Sequence, residues 1–363
     1  MPLEPMLAAR LRAESPITVA RLFELAVGDA VTGHYARAPA FGAEGDFVTA
    51  PEISQTFGEL MGLALVDAWA RAGGPTAITL AELGPGRGTL LQDAWRAAAK
   101  VPAFGASATV HLVETSPRLR AVQATALAAL TPTWHDDVGT LPSDRPLFLI
   151  ANEFLDALPV HQLVRTADGW VERGVATAED AVAWTLLAAP PQLAQAAAAR
   201  FPRATPGDVV ELAPRRTQVV IDVTRRIVAR GGLALFVDYG GVVERPFDTV
   251  QAVARHDRVS PLDHLGAADL SSSVDFGPLV EAALGTGAAV FGPTAQATVL
   301  RALGIELRAL HLAGGRRGEA RAAVMAGVRR LLDPRAMGEL FKVLAIVPAS
   351  SDAPPGFAAH DRR

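Results

Sequence analysis

Three glycines and a carboxylate occur together in the string ELGPGRGTL at residues 82–90. Glycines let the backbone pass close to a ligand, and the N–H groups at a helix N-terminus favour negative charge. Gly84, Gly86 and Gly88, with Glu82 just before them, therefore form a candidate cofactor-binding turn. The alternative is a tight turn that needs glycines only for its shape.

A second carboxylate, Glu114, closes the next apolar run, TVHLVE. At that position a carboxylate can accept hydrogen bonds from both hydroxyls of a ribose, a sugar that nicotinamide and methionine-derived cofactors share. Glu82 separates the two, because a carboxylate repels a pyrophosphate but suits a cofactor that carries an ammonium group. The glycine spacing, GxGxG rather than GxGxxG, favours the same cofactor, S-adenosylmethionine. The alternative role for Glu114 is to cap the helix that follows Ser116.

Further polar residues follow the next two predicted strands. Asp136 and Asp137 are expected where a third strand ends, a position suited to binding an adenine amino group, with a polar turn as the alternative. Asn152 and Glu153 lie at the end of the buried run PLFLIANEF, and Asp156 follows shortly after it. Carboxylates clustered there are unfavourable unless they are paired or face a cleft. We assign Asn152 to the cofactor site and the two acids to catalysis, with a paired structural cluster as the alternative.

The composition excludes several other classes of site and partner. The chain has no cysteine, and its eight histidines form no HxxxH or HExxH pair, so no metal site is predicted. A formal net charge of −4 gives no global positive field that would attract nucleic acid or an anionic membrane. The N-terminus lacks the apolar core of a secretory signal, and Glu4 and Glu14 argue against an organelle transit peptide. Polar residues interrupt every long apolar run, so we expect a cytoplasmic protein without membrane insertion.

The elements that must position these residues alternate between short apolar runs and helical patterns. The runs AITLAEL, TVHLVE, PLFLIANEF and LALFVDYG are separated by helical patterns near 90–100, 117–130 and 215–230. This alternation predicts an α/β fold with a Rossmann-like, doubly wound and mostly parallel sheet. Ahead of it, Thr49 or Ser54 could cap a helix that runs to about Ala72.

The rest of the chain predicts the domain organisation. An N-terminal helical segment at 1–75 precedes the sheet domain at 76–348. The strand-like pieces HQLVRT, WVERGV and WTLLAA and an Ala-rich helix predict an inserted subdomain at about 160–212. Beyond it, IELRALHL and FKVLAIVP are predicted as strands around a helix across 316–332, and 349–363 is predicted as a flexible tail.

Long strings outside the glycine turn resemble the MidA family of methyltransferases, and the resemblance spans nearly the whole chain. They are GDFVTAPEISQTFGEL (45–60), NEFLDALP (152–159), VDYG (237–240), DLSSSVDF (269–276) and MGELFKVLAI (337–346). The resemblance implies a class I methyltransferase fold, S-adenosylmethionine bound by the glycine motif, and an N-terminal segment packed over the site. It also implies methylation of a protein arginine, as on a subunit of respiratory complex I. Where the family usually has a histidine shortly before VDF, this chain has Ser273, so no role of that histidine carries over.

Methyl transfer to an arginine requires carboxylates that hold the planar guanidinium in a bidentate arrangement. Glu153 and Asp156 are the predicted catalytic residues, with Glu52 from the N-terminal segment as a third. Three other functions remain open at this point: a non-catalytic assembly chaperone that keeps the cofactor pocket, a small-molecule methyltransferase, and an NAD-dependent oxidoreductase. Glu82 and the glycine spacing disfavour the last of these.

Overall fold

The computed structural model describes residues 5–37, 48–178, 181–254 and 257–363. Residues 45–47, the first three of the string at 45–60, lie outside this part. The chain forms two compact units, each assembled from separate segments. Unit 1 contains Met1–Phe47, Asp156–Gln218 and Val243–Ser273, and unit 2 contains Val48–Leu155, Val219–Val242 and Val274–Arg363.

The helices are short to medium in length, and none in the described part of the chain is both long and apolar enough to cross a lipid bilayer. In chain order they are α1 (Pro5–Glu14), α2 (Val19–Phe23), α3 (His34–Arg37), α4 (Ala50–Ile53), α5 (Gln55–Arg71), α6 (Thr89–Ala98), α7 (Pro102–Ser107), α8 (Pro117–Ala126), α9 (Pro191–Arg200), α10 (Pro214–Arg230), α11 (Phe276–Gly285), α12 (Gln296–Ala302), α13 (Ile305–Gly314) and α14 (Gly318–Leu332).

The strands are distributed over three sheets. In chain order they are β1 (Ile17–Thr18), β2 (Ile78–Leu83), β3 (Ala108–Val113), β4 (Thr133–His135), β5 (Leu147–Asn152), β6 (His161–Thr166), β7 (Gly169–Ala178), β8 (Ala181–Ala188), β9 (Val209–Leu212), β10 (Gly232–Gly241), β11 (Gln251–Ala254), β12 (Asp257–Val259), β13 (Asp269–Ser271), β14 (Val274–Asp275), β15 (Ala288–Ala295) and β16 (Phe341–Pro348).

Unit 2 is built on the largest sheet, whose strand order is β15-β16-β10-β5-β2-β3-β4. Strands β10, β5, β2, β3 and β4 are parallel, whereas β16 is antiparallel to both of its neighbours. Strands β2 and β5 are buried at every position, as expected for a sheet covered on both faces. From β2 the order runs to β3 on one side and to β5 on the other. The ends of β2 and β5 therefore border the switch point at which such sheets bind ligands.

Two glycines bring helices α5 and α6 of unit 2 into close contact. Ser54 caps α5 by accepting a hydrogen bond from the Thr56 N–H, as the sequence predicts for one of its two candidate caps. A Cβ atom at Gly62 would lie 2.3 Å from the Ala94 carbonyl oxygen, and one at Gly58 would lie 2.6 Å from the Asp93 Cβ. Only glycine fits at these two positions, which are one helical turn apart on the same face of α5.

Unit 1 holds a mainly antiparallel sheet in the order β1-β7-β6-β9, with β8 paired to β7, and a small sheet in the order β12-β11-β13. Its core includes Leu7, Leu22 and Phe23 from the first helices and Val160 and Leu270 from the two later segments. Strand β1 pairs with β7, Ile17 opposite Val175. This pairing makes the N-terminal segment and the later segments one folding unit.

The predicted domain boundaries therefore need correction. The sequence separates an N-terminal segment at 1–75 from an insertion at about 160–212, but residues 1–47 belong with 156–218 and 243–273 in unit 1. Residues 48–75 belong to unit 2, because α5 packs on α6 there. The pairing of β1 with β7 joins residues more than 150 positions apart, and no local pattern predicts it.

Helix α13 corrects a second prediction, since IELRALHL is helical and not a strand. Ile305, Ala309 and Ala313 are buried at helical spacing, whereas Leu307 and Leu310 are exposed. The pattern of apolar residues indicates a strand only if all of them are assumed to be buried, and the exposure of Leu307 and Leu310 shows that they are not. Glutamate, leucine, arginine and alanine are all good helix formers, so local propensity agrees with the helix.

The predicted flexible tail at 349–363 is instead packed against unit 2. The Arg363 N–H donates to the Val290 carbonyl oxygen at 2.9 Å, and the Thr294 hydroxyl donates to the Asp361 carboxylate at 2.9 Å. The Phe357 ring packs against Phe291, with 6.4 Å between the ring centroids. Proline and small residues suggested fraying, but Phe357 supplies the apolar contact that the prediction overlooked.

Candidate active site

The glycine turn connects β2 to α6 in unit 2, as the sequence predicts. Gly84, Gly86 and Gly88 have φ angles of +60°, +54° and +84°, which lie in a region of backbone conformation that residues other than glycine rarely adopt. A Cβ at Gly84 would also lie 2.8 Å from the Phe154 ring. The turn thus requires glycine for its shape, and it leads from the end of β2 directly into the N-terminus of α6.

Glu82 lies on β2 immediately before this turn and is 3% exposed. Burial raises the pKa of its carboxyl group to about 8, and a hydrogen bond from the Leu91 N–H opposes this only in part. Its Oε2 atom has no hydrogen-bond partner among the described residues. A buried carboxylate oxygen without a donor is unfavourable unless a ligand supplies one.

Asn152 ends the neighbouring strand β5 and carries a second such atom. Its Nδ2 donates to the Glu153 Oε1 at 3.0 Å, while its buried Oδ1 has no partner among the described residues. In the parallel register, Leu83 next to Glu82 lies opposite Ala151, so both polar side chains occur at the carboxyl ends of adjacent strands. Two orphaned acceptors at this edge fit a ligand that brings a cationic hydrogen-bond donor, as an amino acid ammonium group does.

Glu114 directly follows β3 and is almost completely buried. Its Oε1 accepts from the Ser116 N–H at 2.8 Å and its Oε2 from the Gln123 Nε2 at 3.2 Å. Burial raises the pKa of Glu114, partly offset by these hydrogen bonds. Helix α8 is capped by Ser116, whose hydroxyl accepts from the Leu119 N–H, so Glu114 does not fill the capping role named as the alternative, and each of its carboxylate oxygens retains a lone pair for a further donor.

The two aspartates after β4 have different surroundings. Asp136 is 83% exposed at its side chain and forms an ion pair with Arg120 at 2.5 Å. Asp137 caps the short helical turn Val138–Thr140 by accepting from the Gly139 N–H at 2.7 Å. These contacts are those of the polar turn named as the alternative, and the adenine-binding role of both residues stays a prediction.

Glu153 follows β5 with a φ angle of +50°, which is uncommon outside glycine. Its N–H donates to the Val237 carbonyl oxygen, and its Oε1 accepts from the Ala50 N–H at 3.2 Å. Asp238 fixes the same turn by accepting from the Leu155 N–H at 2.9 Å. The surrounding hydrogen bonds therefore hold Glu153 in a conformation that by itself costs about 1–2 kcal/mol.

The three predicted catalytic acids are divided between the units. Glu52 is on α4, two residues after the Ala50 N–H that contacts Glu153, so α4 brings these two acids to the same region of unit 2. The Glu52 Oε1 accepts from the Thr89 hydroxyl at 2.7 Å, and its Oε2 lies 4.0 Å from the Arg87 guanidinium. Asp156 begins unit 1, where its backbone carbonyl accepts from the Ser272 N–H and from Arg216.

A network of charged side chains with two buried carboxylates, Glu59 and Asp93, connects α5, α6 and α13. Glu59 is bound by Arg308 at 2.7 and 3.0 Å and also lies 3.6 Å from Arg96. Burial raises the pKa of Glu59, but the hydrogen bonds from Arg308 and Gln55 more than offset this and lower it overall. Burial raises the pKa of Asp93 to about 6, against the opposing effect of Arg96. The network fixes the helices on which Glu52 and Thr89 depend.

Two residues that contact the site were missed by the sequence analysis. The buried Gln123 donates to the Gly86 carbonyl oxygen at 2.8 Å as well as to Glu114, and it accepts from the Trp134 indole. The signal was available, because Gln123 is four residues from both Leu119 and Leu127 on the apolar face of α8. Thr89, the first residue of α6, carried no comparable signal.

Ser273 lies in unit 1, where its N–H donates to the Thr249 hydroxyl at 2.9 Å and its carbonyl oxygen accepts from Arg216. These are backbone contacts that a histidine could make equally well.

The strand order, the glycine turn at the end of β2 and the carboxylate after β3 define the class: an α/β enzyme of the Rossmann-like, class I methyltransferase type. The chain belongs to the family described as "Putative S-adenosyl-L-methionine-dependent methyltransferase", whose model matches residues 60–294. It is an S-adenosylmethionine-dependent methyltransferase, and the predicted cofactor is confirmed by this match and by the solved structure described next.

The chain is similar over nearly its full length to a protein from Burkholderia thailandensis whose crystal structure contains S-adenosyl-homocysteine. The TM-score is 0.84 at 29% sequence identity, covering 99% of this chain and 96% of that one. Among curated relatives, "Protein arginine methyltransferase NDUFAF7, mitochondrial" is 33% identical in Xenopus laevis, covering 94% of this chain and 83% of the relative. The protein of the same name in Homo sapiens is 32% identical, covering 96% and 84%.

These names contradict the cytoplasmic location expected from the sequence, because the curated relatives are named as mitochondrial. The expectation was wrong in its reasoning. An apolar core is a feature of secretory signals alone, and two acidic residues near the N-terminus do not determine the compartment.

Proposed function

We propose that this methyltransferase transfers a methyl group to an arginine side chain of a protein, a subunit of respiratory complex I or a similar protein. The names of the curated relatives support arginine as the acceptor. The complex I subunit is supported by the resemblance of the sequence strings to the MidA family. The observation that carries the proposal is Glu153, an acid held in a left-handed conformation at the switch point of the sheet.

On the cofactor side, different residues of unit 2 are assigned to different groups of the cofactor. Bound S-adenosylmethionine supplies an electrophilic methyl group on its sulfonium sulfur. Glu82 and Asn152 present orphaned oxygens that suit the ammonium group, and Glu114 is positioned after β3 to accept from the ribose hydroxyls. Asp136 and Asp137 are proposed for the adenine amino group, and the glycines at 84, 86 and 88 let the backbone approach the ligand.

On the acceptor side, Glu153 and Glu52 supply the negative charge that a guanidinium requires. A carboxylate pair can fix the plane of the guanidinium and favour a localised lone pair on the attacking nitrogen. Because methyl transfer is an in-line displacement, most of the catalysis comes from this alignment. Asp156, the third predicted catalytic acid, belongs to unit 1, and its catalytic role stays a prediction from the sequence. The hydrogen bond from the Ala50 N–H to Glu153 supports the participation of residues 48–75, which are part of the segment at 1–75 that the sequence predicts to cover the site.

The test is the substitution Glu153→Gln in the full chain, incubated with isotopically labelled S-adenosylmethionine and a candidate acceptor protein. Gln keeps the size of the side chain but removes the charge, so transfer should fall by about 100-fold or more while cofactor binding persists. Mass spectrometry of the acceptor measures the transfer and identifies the modified residue. Glu281→Gln, an exposed acid on α11, is the matched control and should keep full activity.

Other outcomes distinguish the remaining candidates. Unimpaired turnover of the Glu153→Gln variant would refute the assigned role. A wild-type protein that binds the cofactor but labels no protein would support the assembly chaperone, and labelling of small molecules alone would support a small-molecule methyltransferase.

A further inference from the structure

Helix α13 presents apolar side chains to solvent on the face opposite its core contacts. Leu307 is 75% exposed and Leu310 is 51% exposed, one helical turn apart. Their neighbours Ile305, Ala309 and Ala313 are buried on the other face, so the helix is anchored without them. Single exposed leucines are common on protein surfaces, but two on one short helix call for a second observation before a function is inferred.

That second observation is a concentration of positive charge. The helical hairpin formed by α13 and α14, residues 305–332, carries six arginines and two glutamates, a net charge of +4, whereas the rest of the chain carries −8. Five of the arginines are exposed and have no carboxylate within ion-pair distance in the described part of the chain. They are Arg316, Arg317, Arg321, Arg329 and Arg330.

Three of these arginines are at the hairpin tip, which follows the two exposed leucines of α13 in the chain. Arg316 and Arg317 lie in the turn between the two helices, and Arg321 is in the first turn of α14, where it reaches back to the Ala313 carbonyl oxygen at 3.4 Å. We call Leu307, Leu310, Arg316, Arg317 and Arg321 the hairpin surface. The hairpin is attached to neighbouring helices of unit 2, because Arg308 is bound to Glu59 of α5 and the Gln296 amide of α12 donates to the Leu331 carbonyl oxygen.

We propose that the hairpin surface docks the protein on the anionic phospholipid surface of a membrane, without insertion of any span. Exposed leucines on one helix and a local excess of arginine in the same hairpin supply the two contributions that strengthen binding at a lipid interface, which are apolar area and attraction to anionic lipid. The net charge of −4 for the whole chain predicts no such attraction, but attraction to a lipid surface acts within about a Debye length and depends on the local charge.

An acidic protein is the competing occupant, and the composition of the surface disfavours it. Protein interfaces concentrate binding energy in tryptophan, tyrosine and arginine that fit into pockets. The segment from 305 to 323 contains no aromatic residue other than His311 and is otherwise rich in glycine and alanine around the arginines. Such a surface offers charge and apolar contact but little shape, which a fluid lipid surface tolerates.

The experiment is co-sedimentation of the full chain with phosphatidylcholine vesicles that either contain or lack phosphatidylglycerol. We expect binding only to the anionic vesicles, and weaker binding as salt is added. The triple variant Arg316→Gln, Arg317→Gln, Arg321→Gln should bind about 100-fold more weakly, since each arginine near an anionic surface contributes about fivefold. A control triple variant at Arg118, Arg203 and Arg335, which removes the same charge elsewhere, should bind like the wild type.

A second variant separates the apolar contribution from the charge. Leu307→Gln with Leu310→Gln should weaken the salt-resistant part of the binding, whereas the same changes at the exposed Leu284 and Leu340 should not. Thermal unfolding and cofactor binding verify that each variant is folded. The proposal is overturned if the anionic vesicles do not bind the protein, or if the hairpin and control variants lose binding equally. Binding to poly-glutamate but not to vesicles, lost in the hairpin triple variant, would assign the surface to an acidic protein instead.

Discussion

Glu82 combines almost complete burial with a carboxylate oxygen that has no partner among the described residues. In the cofactor-free protein its carboxyl group is mostly neutral at pH 7, because burial raises its pKa to about 8. An ammonium group placed against it would favour the ionised form and lower that pKa. The residue is therefore expected to lose a proton when the cofactor binds.

This gives a pH dependence with a definite sign. Between pH 6 and 8 the affinity for S-adenosylmethionine should rise with pH, because below about pH 8 the protein must release a proton to bind. Titration calorimetry at pH 7 in buffers of different ionisation enthalpy should detect the released proton. The variant Glu82→Gln should bind more weakly by about 10-fold or more and show no release. An affinity that is constant over this range would exclude the proposed role.

The same shift affects stability in the opposite direction. A carboxyl group whose pKa is higher in the folded protein than in the unfolded chain stabilises the fold below its ordinary pKa of 4.5. That contribution is lost as pH rises toward 8. Burial of Glu82 in the cofactor-binding site therefore lowers the free energy of unfolding near neutral pH relative to acidic pH.

Thr89 connects the glycine turn to Glu52, one of the acids proposed to bind the arginine that is methylated. Its hydroxyl donates to Glu52 at 2.7 Å, and the residue begins the helix that the turn leads into. Replacing Thr89 with Val keeps the shape but removes the donor. We expect the KM for the acceptor to rise about 10-fold, the magnitude typical of a lost hydrogen bond to a charged group, with little change in cofactor affinity.

Thr89→Ser is the matched control, because serine retains the hydroxyl and should restore the acceptor KM. Steady-state kinetics with each substrate varied in turn separates the two affinities. If Thr89→Val instead weakened the cofactor alone, Thr89 would act on the turn and not on Glu52.

At this scale the sequence predicts residues at strand ends better than residues on helices. Glu82, Glu114 and Asn152 follow buried runs, and parallel strands bring their carboxyl ends to one edge. Gln123 and Thr89 reach the same region from helices, and their contacts depend on how α8 and α4 pack, which no single segment specifies.

At the level of elements, the contact between α5 and α6 depends on glycine. Gly62→Ala would place a methyl group 2.3 Å from the Ala94 carbonyl oxygen and force the helices apart. We expect the free energy of unfolding to fall by about 1–3 kcal/mol, measured by urea denaturation.

The control for this substitution is Gly285→Ala at the end of α11, where an added Cβ meets nothing within 4 Å. That change should be neutral or slightly stabilising, since alanine is the better helix former. A Gly62→Ala variant as stable as the wild type would mean that α5 and α6 can separate without loss.

The error at α13 shows where pattern-based prediction fails. Hydrophobic alternation indicates a strand only if apolar residues are buried, and Leu307 and Leu310 are not. Exposed apolar residues therefore distort the pattern, and local helix propensity was the better guide.

At the scale of the whole molecule, the sheet of unit 2 could be predicted from the sequence, but the set of chain segments that forms unit 1 could not. Four apolar runs alternating with helices predict a parallel sheet, because each run is local in sequence. Unit 1 depends instead on β1 pairing with β7 and on segments that leave and re-enter unit 2. Such pairings arise from long-range packing, so the sequence located the middle of the insertion but not its limits.

The position of β16 has a consequence for how the protein is made. This strand is formed by residues 341–348, yet it lies between β10 and β15 and pairs with both. Until the ribosome has synthesised residues 341–348, β10 and β15 have been made but lack the partner that separates them. The nascent polypeptide therefore carries two unprotected strand edges until residues 341–348 have been synthesised, and a chaperone that shields them during synthesis would protect it from aggregation.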